Sequence, residues 1–290
     1  MIFDISHRTV YSYSATVAQS HHLIHLAPRD HPRQRVGRHT IIVEPAPASR
    51  TDFIDPFGNP ASILTIEQDH TEFLIHSRSQ IEVSPPEPFD AASTSPWESV
   101  AAKLGQGPGP HDLDVVQYLS PSRYVRPSAE IRDYAKPSFP GGRALLQGAI
   151  DLNARIHRDF SYDNTATDVS TELSEVLAMR RGVCQDFAHL FIACMRSLGL
   201  PARYISGYLL TRPPEGQPKL IGADASHAWL SVWAPETGWV DFDPTNNLIP
   251  GEEHITIAYG RDFHDVSPIS GVLLGGGDHK VEVAVDVTPV

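Results

Sequence analysis

The sequence predicts an α+β protein, and three observations carry that reading. Up to about Val83, apolar and polar residues alternate with a period of two, broken by turn signals. From Trp97 the apolar residues recur at helical spacing instead. After Gly199 the two-residue alternation returns, so helices are followed by a second group of strands.

Within the first stretch, FLIHSRSQIEV at 73–83 places Phe73, Ile75, Ile81 and Val83 on one face and His76, Arg78, Gln80 and Glu82 on the other. VGRHTIIVEP and ASILTIEQ read as further strands, with the turn signal DPFGN at 55–59 between two of them. Short strands with frequent turns, in a chain holding 20 glycines and 25 prolines, predict a small antiparallel β-sandwich over residues 1–88. SPPEPFDAASTSP at 84–96 reads as a linker. The remainder, 97–290, is expected to form a second domain. It begins with the helical segments SVAAKL, DVVQYL, SAEIRDYA and ALLQGAIDLNARIHRDF, interrupted at Pro137 and at FPGG. HDLD at 111–114 reads as a helix start rather than a cation site. ARYISGYLL, HAWLSVWA and GWVDFD then read as strands, and the tail HKVEVAVDV alternates again.

Composition narrows the function. Hydrophobic residues make up 41% and charged residues 20%, as in ordinary globular proteins. The net charge is −12 and no basic run occurs, so no nucleic-acid partner is expected, because phosphate binding needs clustered Lys and Arg. No window is apolar enough to span a bilayer, and the N-terminus lacks the pattern of a signal peptide. With only two cysteines, the expectation is a cytoplasmic protein with no membrane partner. Oligomeric state has no signature in the sequence.

Both cysteines lie in RRGVCQDFAHLFIACMRSLG, 180–199. Cys184, Phe187, Leu190, Phe191, Cys194, Met195 and Leu198 follow the spacing of a helix with one buried stripe, which Gly199 and Pro201 end. Ten residues of helix separate the two sulfurs by about 15 Å of axial rise. A disulfide needs Cα atoms within roughly 7 Å, so both thiols are expected to be free. Cys194 sits mid-helix and reads as core. Cys184 opens the helix, where unpaired N–H groups and the helix dipole favour a thiolate and can receive an oxyanion. Gly182 lets the backbone come close. Cysteine is often merely buried, so this position alone does not make a nucleophile.

A cysteine nucleophile needs a base and an orienting acid. Among 15 histidines, His227 stands out. It opens an alternating strand, SHAWLSVW, that APETG at 234–238 turns back into GWVDFDPT. A loop of three to five residues pairs Trp233 with residue 237 or 239. His227 then faces Asp243 directly or lies diagonal to it, within reach of a hydrogen bond. Asp241 shares the parity of Asp243 but pairs further up the ladder. HHLIH at 21–25 puts His21 and His25 four apart, as in a helical zinc site, but its surroundings read as strand and no third ligand is near. No metal or cofactor is expected.

GVCQDFAHLFIACMRSLGLPARYISGYL, SHAWLSVW and GWVDFDPTNN together resemble the transglutaminase-like superfamily, and the layout resembles its bacterial two-domain members. The resemblance implies a papain-like α+β core over 97–290, with the nucleophile helix packed on an antiparallel sheet. It implies Cys184 as nucleophile, His227 as base and Asp243 as orienting acid. Tyr162, Gln185 and Trp229 are candidate oxyanion or cleft residues. The implied chemistry is acyl transfer on a peptide or carboxamide bond of a peptide or protein substrate, through a Cys184 thioester. Water is expected to resolve that thioester, as in a cysteine peptidase or amidase. Resolution by an amine, as in a protein-glutamine cross-linking transglutaminase, and a silent binding module of the same fold are the alternatives.

Overall fold

The computed structural model describes residues 1–106, 113–211 and 226–290. His111 and Asp112 of HDLD lie outside them. Strand β1 (Ile2–Ile24) is followed by β2 (Gln34–Glu44), β3 (Ser49–Ile54), β4 (Pro60–Ile66) and β5 (His70–Val83). Helices α1 (Trp97–Gly105), α2 (Leu113–Val116), α3 (Ala129–Ala135) and α4 (Leu145–Asp159) come next. A short β6 (Ser161–Tyr162), α5 (Leu173–Met179) and β7 (Arg181–Gly182) lead into α6 (Cys184–Ser197). The chain closes with β8 (Ala202–Leu209), β9 (Ser226–Ala234), β10 (Gly238–Phe242), β11 (His254–Gly260), α7 (Phe263–Val266), β12 (Ile269–Gly275) and β13 (His279–Pro289).

The N-terminal layer is organised by β1. Its first half pairs with β5 on one edge and β13 on the other, and its second half pairs with β4 and β12. The register slips between residues 12 and 19, so the long strand passes from one half of the layer to the other. Tyr13, Val17, Ile24, Leu64, Ile66, Phe73 and Ile75 fill the core between the halves. HHLIH lies at the end of this strand, where His21 bonds Thr65 across to β4.

The pairing of β12 and β13 changes the chain's division. Residues 269–289, expected with the second domain, return to complete the sheet of the first. The alternation of HKVEVAVDV was visible, but an alternating strand does not say which edge it will join.

The second domain centres on a four-stranded antiparallel sheet ordered β10-β9-β8-β11. Helix α6 packs on β8 and β9, with α3, α4 and α5 on its other side. Residues Asp186 to Arg196 are therefore all buried, where a single apolar stripe was expected. The polar residues find partners there. His189 accepts from the Phe263 N–H at 3.1 Å, and Arg196 donates to the carbonyls of Ser120, Ala202 and Arg261. Covering by a sheet on one side and helices on the other is a tertiary property that a period of 3.6 cannot show.

Two side-chain amides from the N-terminal layer bind the outer edge of β11. Gln34 donates to the Thr256 carbonyl at 2.7 Å and accepts from its N–H at 2.8 Å. Asn59, the last residue of DPFGN, donates to the Tyr259 carbonyl at 2.7 Å and accepts from its N–H at 2.8 Å. Each amide thus stands in for a neighbouring strand. Asn59→Ala leaves both Tyr259 backbone groups and one bond of Arg29 unpaired in a buried place. At about 1–3 kcal/mol for each orphaned group, the variant is expected to lose on the order of 3–5 kcal/mol. Thermal unfolding followed by circular dichroism should show a midpoint lower by roughly 10 °C.

Candidate active site

The loop before α6 is built so that Cys184 meets the helix N-terminus. β7 lies parallel to β6, pairing Gly182 with Tyr162. Asp186, three residues into the segment from Val183, turns back and accepts the Val183 N–H at 2.8 Å. The same carboxylate oxygen accepts the Thr167 hydroxyl at 2.6 Å, which ties down the preceding loop. A Cβ at position 182 would come within 2.6 Å of that oxygen, so the glycine is needed here for close approach. Cys184 is half-buried, and neither cysteine is in a disulfide. Cys194 is fully buried, with its sulfur 3.7 Å from the Ile131 carbonyl, and burial pushes its thiol far above the ordinary range.

The β9–β10 hairpin has the register that brings His227 and Asp243 together diagonally. Trp239 pairs with Trp233 and Phe242 with Leu230. The next step sets Asp243 opposite Trp229, so His227 is its diagonal neighbour. Gly238 closes the short loop at φ +71°, a left-handed position that suits glycine. Asp241 pairs with Ser231, bonds its hydroxyl and lies 3.9 Å from Arg33. It is turned to a different network.

Asp243 is fully buried and its carboxylate is saturated. Oδ2 accepts from His227 Nε2 at 2.8 Å, Asn246 Nδ2 at 2.8 Å and His254 Nε2 at 3.1 Å. Oδ1 accepts the backbone N–H groups of Thr245 at 2.9 Å and Asn246 at 3.1 Å. Burial alone would raise the carboxyl, but the bonds from His227, His254 and Asn246 hold it well below the usual carboxylate range.

His227 joins the two ends of the site. Burial alone would lower its pKa, but the hydrogen bond with Asp243 and the neighbouring Cys184 raise it from an ordinary 6.5 to about 10. With Nε2 on Asp243, the ring nitrogen left for the sulfur is Nδ1. The ring stacks on Trp229 at 5.9 Å between centroids. Trp229 is fully buried and lies beneath the histidine rather than along an open cleft. Its indole occupies the space over Gly207, which has no side chain to obstruct it. Tyr162 is 60% exposed, and partial burial and the neighbouring Cys184 push its phenol above the ordinary range. Gln185 is half-buried on the first turn of α6.

His254 and Asn246 are the two residues of this cluster that sequence reasoning did not select. Asn246 lies in the DPTNN motif, three residues past Asp243. His254 opens β11, on the opposite edge of the sheet from β10, and no motif spacing links it to Asp243.

Residues 3–82 match the bacterial transglutaminase-like N-terminal region, and residues 132–244 match the transglutaminase-like superfamily. An uncharacterized protein of Mycobacterium tuberculosis is 40% identical over 99% of this chain and 92% of its own length. The chain belongs to the transglutaminase-like superfamily. It has the two-domain bacterial layout, with an N-terminal sheet domain ahead of the transglutaminase-like core. An uncharacterized protein of Mycobacterium leprae is 31% identical over 98% of the chain and 97% of its own length. In fold, the chain is similar to a candidate cysteine protease of Cytophaga hutchinsonii, with a TM-score of 0.78. That likeness covers 99% of this chain and 90% of the other at 22% identity. A protein-glutamine gamma-glutamyltransferase of Pseudomonas aeruginosa is 36% identical over 72 residues, 24% of this chain and 11% of that protein.

Proposed function

We propose that this transglutaminase-like chain is an acyl-transfer enzyme in which Cys184, His227 and Asp243 act as nucleophile, base and orienting acid. The observation that carries the reading is the 2.8 Å bond from His227 Nε2 to the buried Asp243 carboxylate, and Asp243 together with the neighbouring Cys184 raises the pKa of the imidazole to about 10. Charged through the neutral range, its imidazolium is the counter-ion that a reacting thiolate needs.

The Cys184 sulfur attacks the carbonyl carbon of a peptide or carboxamide bond. Negative charge gathers on the oxygen, which the first N–H groups of α6, at Cys184 and Gln185, are placed to receive. Tyr162, one strand-step across from Gly182, is the side chain available beside them. His227 then passes its Nδ1 proton to the departing amine, leaving a thioester and a neutral imidazole. Water, giving its proton to His227, attacks the thioester and releases the acid and the thiolate.

Water is favoured over an amine because Cys184 is only half-buried beside a largely exposed Tyr162, and excluding water from an acyl-enzyme demands a closed site. The similarity to the glutamyltransferase favours the second reading, resolution by an amine and hence cross-linking. The substrate on either reading is a peptide or protein, and neither uses a cofactor. Among the described residues no helix is long and apolar enough to cross a membrane. The low cysteine count, two in 290 residues, favours a cytoplasmic setting.

The test is alkylation of Cys184 by iodoacetamide near neutral pH, followed by mass spectrometry of the modified peptide. The wild-type chain should react far faster than an ordinary thiol, and His227→Ala should remove the advantage. A wild-type rate no greater than that of an ordinary thiol points to a silent scaffold.

A further inference from the structure

We propose that His254 is a positioning residue for the Asp243–His227 pair, and that the N-terminal domain holds it in place through β11. The inference rests on the acyl-transfer reading above and adds to it a fourth residue and a role for the first domain.

Asp243 is ionised and only accepts, so His254 Nε2 carries the proton of their 3.1 Å bond. The other ring nitrogen, Nδ1, is buried with no protein partner among the described residues. Every hydrogen bond the imidazole makes there is therefore spent on Asp243. The ring stands edge-on against Trp229, 5.1 Å between centroids at 83°, and Trp229 in turn stacks on His227. The two histidines share one carboxylate oxygen and one aromatic support.

His254 can act in this way only if β11 is held still. Among the described residues β11 is an edge strand, with β8 on one side and no strand on the other. Gln34 and Asn59 occupy that open edge, at Thr256 and Tyr259, two and five residues beyond His254. The path runs from the N-terminal layer through two amides to β11, to His254 and to the carboxylate that orients the base. Without the third donor on Oδ2, Asp243 keeps its bonds to the Thr245 and Asn246 backbone and to Asn246 Nδ2 but loses the one that ties it to β11, and His227 is held by a less firmly fixed partner.

The test separates donation from packing in the full-length chain. His254→Phe keeps an aromatic ring against Trp229 and loses the donor. His254→Gln keeps a donor and loses the ring. The rate of Cys184 alkylation is measured for each, beside the melting temperature. His254→Phe should react roughly tenfold more slowly than wild type, as expected for a lost bond to a charged group, and His254→Gln should recover most of the rate. A Phe variant as fast as wild type, or a Gln variant as slow as Phe at a similar melting temperature, overturns the proposal. If the Phe variant does not fold, His254→Ala replaces it with the same expectation. Wild-type alkylation that is indifferent to His227→Ala would instead sink the acyl-transfer reading itself, and the role of His254 with it.

Discussion

Cys184→Ala is expected to abolish amide-bond turnover, by more than about 10⁴-fold, while leaving the fold intact. The loss is large because no other sulfur can substitute. Cys194 is the only other cysteine, and it is fully buried on the core side of α6 with its thiol held protonated. The fold should survive because Cys184 is half-buried and its loss leaves no buried donor or acceptor unpaired except at His227. A change in stability within about 1 kcal/mol is expected. Hydrolysis of a peptide substrate, set beside a circular-dichroism melt, checks both halves. Turnover retained in a folded Cys184→Ala chain would place the nucleophile elsewhere.

Asp243→Asn should slow the same chemistry on the order of 10³–10⁴-fold, and Asp241→Asn much less. The contrast comes from their partners. Asp243 holds His227 at 2.8 Å, whereas Asp241 serves Ser231 and Arg33. The amide also removes the charge that keeps His227 protonated. In the wild type, the stabilisation from His227 is fully present below its ordinary 6.5 and is lost only as pH rises through about 10. The depressed Asp243 carboxyl works in the other direction. Its contribution is present above the ordinary carboxylate range and is lost only as pH falls well below it. The pair is therefore intact throughout the neutral range. Without the carboxylate the His227 pKa falls and the imidazolium that favours the thiolate is lost, so the deficit in Cys184 alkylation should be largest near pH 7 and narrow toward pH 9, where the thiol ionises unaided. A pH–rate profile of both variants measures it. The reverse ranking of Asp241 and Asp243 would mean that the hairpin register is wrong.

Much of the site was legible because it is local. The start of α6 at Cys184, the glycine before it and the hairpin register each depend on residues within one or two elements. The parity of Asp241 and Asp243 was visible too, and the three-residue loop, by pairing Trp233 with Trp239, decided for the diagonal contact. Trp229 had the parity of His227, but its complete burial follows from Gly207 on another strand and could not be counted out along β9. The linker reading of 84–96 missed that residues 84–89 wall a cavity of about 760 Å³ with Arg203 and Trp239, because composition does not say what a proline-rich segment lies against.

By itself, the sequence determined many of the helices and strands, though not α5, β11 or β12, and that a thiol, an imidazole and a carboxylate come in that order on elements able to converge. Periodicity and loop length are properties of neighbouring residues, and so are written in the chain. Tertiary structure alone decided that the last two strands return to the first sheet, that Gln34 and Asn59 complete the edge of β11, and that His254 reaches Asp243 from across the sheet. Each of these depends on which distant backbone edge or buried carboxylate a group meets, and every backbone offers the same donors and acceptors whatever its side chains.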